Sequence, residues 1–344
     1  MYMSATGEDL RTYAAAVEEG RCLVELPGST EIVVRGREAR DYLHRLCSAD
    51  LRPLNPGEGL PAFFLDARGR AVALVDIYRQ HDGFEITSAW GQSATILEHL
   101  QRYRIREQVT FEDASGRRRQ FRFFGKGAAA RLQALLDASP ASGDAPNLEN
   151  RSVCAGRSGD HGTFPIAGNP VIVRCIRRGD WEAFALVCES EHGDALAGRA
   201  AECGAVAAPL PVWDAVRIEL GLPEFGRDIS PDCLGPEVSP DPRAISTTKG
   251  CYLGQETVAR LEAHGHLNRK LRGLLFGNEI PAPGTGLLFE EKPVGRVTSA
   301  VYSPCRGEGV GLAMVRREAW NAGTVLVWQK GEAVVTDLPM AASR

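Results

Sequence analysis

Apolar residues recur along this chain with two periods, and the alternation of those periods divides it into three regions. Between residues 21 and 113, stretches of strand-like alternation are interrupted by two helical stripes, which predicts a mixed α+β unit. Ala39, Leu43, Leu46 and Cys47 form the first stripe, and Ile96, Leu97, Leu100 and Tyr103 the second. Strands are predicted over 62–65, 71–78 and 84–87, joined by turn residues at Ala67-Arg-Gly69 and His81-Asp-Gly83, so both connections read as hairpins. A helical stretch around Leu132, Leu135 and Leu136 runs into a proline- and small-residue run at 139–146 that reads as a surface loop. Two further strands, over 171–176 and 182–187, and a helix over 194–203 that Gly204 can end make a second small α+β unit. From Asn268 onward, short β-rich pieces are separated by glycine and proline, the pattern of a small C-terminal barrel.

Composition narrows the function classes. With 344 residues the chain suits two or three packed units, and 44% apolar against 24% charged residues is a globular balance. A formal net charge of −4 provides no global basic field for wrapping nucleic acid. The basic clusters at 102–106 and 117–119 lack the interleaved aromatics that stack bases, so they read as solvated faces. The nine cysteines are scattered, with no Cys-x-x-Cys pair and no histidine spacing that closes a zinc site, which points to a reducing compartment. No apolar run approaches the roughly 20 residues that span a bilayer. The acidic first residues do not read as an export signal, so a cytoplasmic location is expected.

Two stretches carry candidate chemistry. In the first, a helical pattern beginning near Trp213 should stop near Gly221 and Pro223, leaving Glu219 at a helix C-terminus. A carboxylate there opposes the helix dipole by about 0.3 to 1 kcal/mol, which calls for a partner such as Arg217 or a ligand. In the second, Thr248-Lys-Gly-Cys-Tyr-Leu-Gly-Gln-Glu256, a lysine, a thiol, an amide and a carboxylate crowd between two glycines. Cys251 is the most reactive thiol if the Lys249 ammonium lies near it. The plain alternative is a loop-to-helix junction with Lys249 solvated and Cys251 buried.

Lys249-Gly-Cys-Tyr-Leu-Gly-Gln-Glu256 resembles the signature of the YgfZ-type branch of the folate-binding aminomethyltransferase superfamily, in which a cysteine stands where the transferases have an aspartate. Arg217-Ile-Glu-Leu-Gly221, Gly226-Arg-Asp228 and the stretches 294–304 and 310–315 are similar to further superfamily segments. The N-terminal half agrees more loosely, through 42–50 and 64–70. The resemblance implies an α+β fold, an aminomethyltransferase-like ring of two interleaved α+β subdomains over residues 21–265, with internal boundaries near 115–125 and 200–210. A C-terminal β-barrel over 268–344 completes it, around a channel for tetrahydrofolate.

The same resemblance implies roles for the residues. Glu219 would accept the paired N–H donors of a pterin edge, and Lys249 would meet the glutamyl tail or carboxamide. Arg217, Asp228 and Gln255 would orient the site, as contacts or as supports. The paired aspartate of the transferases is replaced by Ala73 and Leu74, with Asp76 the nearest carboxylate. The strand position of Asp76 decides whether it can substitute; the expectation is that the transferase acid is missing, which argues against conventional aminomethyl transfer. The expected function is therefore a tetrahydrofolate-binding protein that supports assembly or repair of [4Fe–4S] enzymes, tRNA-modifying ones included, with iron–sulfur assembly proteins or client enzymes as partners. Cys251 would act as a reactive thiol or transient metal ligand. The alternatives are a tetrahydrofolate-dependent aminomethyl transferase and a non-catalytic folate-binding scaffold.

Overall fold

The structure is a computed structural model that describes residues 10–138, 153–178, 181–239, 241–264 and 267–340; the loop expected at 139–146 lies outside them. In chain order the first half contains α1 (Ala14–Glu18), β1 (Cys22–Leu26), β2 (Thr30–Arg35), α2 (Ala39–Leu46), β3 (Gly59–Leu65), β4 (Ala71–Arg79) and β5 (Gly83–Ser88). Then come α3 (Ser93–Arg102), β6 (Thr110–Asp113), β7 (Arg118–Gly125), α4 (Ala128–Asp137), β8 (His161–Ile166), β9 (Asn169–Arg178) and β10 (Trp181–Glu189). α5 (Gly193–Glu202), β11 (Val206–Ala207), α6 (Leu210–Glu219), α7 (Gly235–Val238) and α8 (Gln255–His264) follow. The chain continues with β12 (Arg269–Phe276), β13 (Gly286–Phe289), β14 (Lys292–Ser303), β15 (Glu308–Arg316), β16 (Val325–Trp328) and β17 (Gly331–Thr336).

These strands form three sheets. The first is five-stranded in the order β3-β4-β5-β2-β6, with the two expected hairpins β3–β4 and β4–β5 antiparallel. Helices α2 and α3 cover one of its faces and bury Leu43, Ile96 and Leu100 against Phe64, Ile77 and Phe84. The second sheet has six strands, in the order β11-β1-β7-β10-β9-β8. Strand β1 belongs to this second sheet, although its residues read in sequence as part of the first unit. Pro27 and Gly28 interrupt the chain after Leu26, which frees β1 to pair with β7 and β11 while β2 pairs with β5 and β6. The third sheet is the closed barrel β12-β15-β14-β13-β16-β17, filled by Leu274, Phe276, Val297, Ala313, Leu326 and Val335. No helix among the described residues is long and apolar enough to cross a membrane.

The two open sheets face each other, and strand alternation decides what they present. Register places Leu74, Asp76 and Tyr78 of β4 on the same face as Glu85 and Thr87 of β5 and Glu31 of β2. From the six-stranded sheet, Arg118, Gln120 and Arg122 of β7 and Arg174, Ile176 and Arg178 of β9 share the opposing face. Fully buried Arg174 bridges Glu31 at 2.8 and 2.9 Å and Glu85 at 2.8 Å, and it stacks on the Tyr78 ring at 4.6 Å. Arg118 adds a 2.9 Å bond to Glu85, and Gln120 one of 3.1 Å to Glu31. A buried ionic cluster therefore joins the sheets at one end of their interface.

Candidate functional site

At the other end of that interface the sheets part around a cavity of about 400 Å³. Its apolar walls include Leu60, Leu74, Ile176, Leu222 and Phe225, and Trp213 of α6 also lines it. Asp76 enters from β4, and Arg122 and Arg178 enter from the opposing sheet. Burial pushes the Asp76 carboxyl above the ordinary carboxylate range, although Arg122, Arg178 and Arg174 pull it back. Burial likewise lowers the Arg122 and Arg178 pKa values. The Arg122 guanidinium lies 5.5 Å from the Trp213 ring, and its buried Nε and Nη1 have no hydrogen-bond acceptor among the described residues. Arg178 reaches Asp241 at 3.4 Å, and Asp241 is held by Arg243. A carboxyl group and a guanidinium with free donors thus converge in a largely apolar cavity, an arrangement suited to a flat polar ring system and to proton exchange with it.

Of the six residues singled out in sequence, Arg217 lines this cavity. It is 1% exposed, donating to Asp214 at 2.7 Å, to Asp228 at 2.9 Å and to Ser299 of β14 at 3.0 Å. Asp228 also accepts from Thr298 and Ser299 at 2.7 and 2.6 Å. These charged groups are spent on each other, so Arg217 and Asp228 fasten α6 to the barrel and support the cavity floor.

Glu219 does end its helix as expected, with Gly221 at φ +66° closing the turn and the Leu222 N–H bonding back to the Arg217 carbonyl at 2.8 Å. Its carboxylate, however, faces the barrel, where Ser303 donates to it at 2.6 Å, and it does not line the cavity. Burial raises its pKa, with the Ser303 hydrogen bond and Arg306 opposing. The compensating partner is a hydroxyl on β14.

The 248–256 stretch is a loop-to-helix junction in which the plain expectations for both side chains are reversed. Lys249 is 5% exposed, and its ammonium donates to the carbonyls of His44, Cys47 and Ala49 at 2.5, 2.8 and 2.7 Å. His44 sits in the last turn of α2, where carbonyls lack helical partners, so this lysine caps the helix with all three of its donors. Cys251 is the one exposed thiol of the nine. Gln255 begins α8, and its side-chain oxygen accepts weakly from the Tyr252 N–H at 3.4 Å. Gly254, at φ +81°, lies so close to the β3–β4 turn that a Cβ would stand 2.5 Å from the Asp66 carbonyl. The stretch is thus docked beneath the first sheet, away from the cavity lining. Among the described residues, no group of three or more His, Cys, Asp or Glu side chains could hold a metal ion.

Arg122, Arg178 and Trp213 were missed as site residues. A charged residue inside the apolar run Phe121–Phe124 was the available signal for Arg122, and the shared alternation of Leu74 and Asp76 settles which way Asp76 points.

Residues 7–238 match the GCVT N-terminal domain, and residues 269–340 match the glycine cleavage T-protein C-terminal barrel domain. The chain is 29% identical over 307 residues to the aminomethyltransferase of Thermus thermophilus, which covers 88% of this chain and 81% of that protein. It is 24% identical over 330 residues to a chloroplastic putative transferase of Arabidopsis thaliana, covering 95% and 73% respectively. The glycine cleavage system aminomethyltransferase T of Bartonella henselae has the same fold, with a TM-score of 0.80 at 17% identity over 97% of this chain and 90% of that one.

Proposed function

The chain belongs to the glycine cleavage T-protein family, and on that premise we propose that its inter-sheet cavity binds tetrahydrofolate and serves transfer of a one-carbon unit from an amine donor. The observation that carries this reading is Asp76 beside Arg122 in an apolar-walled cavity. Bound tetrahydrofolate supplies the nitrogens that carry the one-carbon unit. Asp76, with its pKa raised by burial, holds or releases a proton at those nitrogens, which one-carbon transfer requires. Arg122 offers unspent N–H donors to the polar edge of the ligand, and the apolar walls with Trp213 exclude water from it. The relatives named aminomethyltransferase favour this activity over support of iron–sulfur enzymes.

A second reading rests on one observation, the exposure of Cys251. In a YgfZ-type protein, as the 249–256 signature suggests, that thiolate would hold iron or sulfur transiently for [4Fe–4S] client enzymes. One experiment separates the two. A donor whose ¹³C-labelled methylene joins an amine to a thiol sulfur is incubated anaerobically with tetrahydrofolate and enzyme; the methylene passes to the two folate nitrogens as ammonia and the free thiol leave, and ¹³C NMR follows 5,10-methylenetetrahydrofolate. Transfer is expected from the wild type and from Cys251→Ser, with a loss of about 100-fold or more in Asp76→Asn. No transfer by the wild type, or loss only in Cys251→Ser, would reject the transferase reading.

A further inference from the structure

A second binding site stands at one end of the barrel. On β12, Lys270, Arg272, Leu274 and Phe276 alternate onto one side, and the latter two fill the barrel core. Lys270 and Arg272 therefore continue the interior row to its open end. On β17, Ala333 and Val335 belong to the same core, and Asp337, two residues on, accepts from Arg272 at 2.6 Å. The turn after β15 adds Arg317, Trp320 and Asn321, and together these residues line a groove of about 530 Å³.

Its electrostatics are one-sided. Three cations meet one carboxylate, and among the described residues neither Lys270 nor Arg317 has an ion-pair partner. Arg272 is 8% exposed, and its buried Nε has no acceptor among the described residues. A buried guanidinium nitrogen without an acceptor is costly, and such groups mark places where an anion completes the set. Barrel mouths are common ligand sites, and a guanidinium fork beside a mobile ammonium matches the several oxygens of a phosphate.

We propose that the barrel mouth binds the phosphate group of a small phosphorylated ligand through Lys270, Arg272 and Arg317. The site is separate from the inter-sheet cavity and does not depend on folate binding. Calorimetric titration at low salt with two probes, inorganic pyrophosphate and AMP, tests it. Saturable binding of at least one probe is expected, about tenfold weaker in Arg317→Gln and in Lys270→Gln, while Arg131→Gln, an exposed arginine on α4, binds as the wild type does. Tighter binding of AMP than of pyrophosphate identifies a nucleoside phosphate that also uses Trp320, and the reverse identifies a ligand read by its phosphates alone. Thermal melting of each variant checks that the substitutions leave the fold intact. No saturable binding of either probe, equal weakening in Arg131→Gln, or loss confined to Arg178→Gln in the inter-sheet cavity would overturn the assignment.

Discussion

Single residues here are defined by which side of a strand or helix they occupy. Asp76 shows this best: one position along β4 would bury it among the apolar side chains under α2 and α3, whereas its actual register gives it to the cavity. Its raised folded pKa has a definite consequence for stability. Below the ordinary value near 3.8 the group is protonated in both folded and unfolded chains and contributes nothing. As pH rises from there through the raised folded value, the unfolded chain ionises first and the fold loses stability relative to a neutral side chain. Denaturant melts of wild type and Asp76→Asn should therefore diverge in favour of the variant as pH rises from 4 towards neutrality. A pH-independent difference, or one of the opposite slope, would show that the carboxyl is not held up by burial. Lys249 was not legible in the same way, because its acceptors are carbonyls about two hundred residues away and no local pattern announces them.

Elements are held to one another by polar groups removed from water. Arg174 of β9 ties Glu31 of β2 and Glu85 of β5 across the interface, so the two open sheets are fixed by charge where the cavity ends. Burial alone would raise the Glu85 pKa, but Arg174 and Arg118 overcome it and bring the group down to about 2. Its stabilising contribution is complete above the ordinary value of 4.5 and is lost as pH falls from there towards 2. Replacing Arg174 with Met removes the buried cation shared by Glu31 and Glu85, leaving Arg118 and Gln120 beside them, and should cost about 3 to 5 kcal/mol in urea unfolding at neutral pH. The same variant should lose part of the wild-type acid sensitivity between pH 4.5 and 2. A change under about 1 kcal/mol would mean that the sheets are held by apolar packing instead. Sequence periodicity located the helices and hairpins of this interface, since each is a local pattern. It misassigned β1, whose partner strands β7 and β11 lie far along the chain.

At the scale of the whole molecule, two sheets and a barrel meet at α6, which Arg217, Asp228 and Ser299 lock to β14. The architecture was legible because its parts differ in apolar period and turn chemistry, and because the motifs at 217–228 and 249–256 carried a family resemblance. The candidate cavity was less legible: the charged groups of those motifs make contacts between elements, while the cavity is lined from strands in the middle of the sheets whose facing residues only the fold brings together. The central claim is that tetrahydrofolate occupies the cavity between the sheets, and anaerobic calorimetric titration tests it most directly. Wild type and Glu219→Gln are expected to bind tetrahydrofolate alike, with Arg122→Gln weakened by about tenfold or more. Binding that survives Arg122→Gln and disappears in Glu219→Gln, or no binding by the wild type, would contradict a folate site between the sheets.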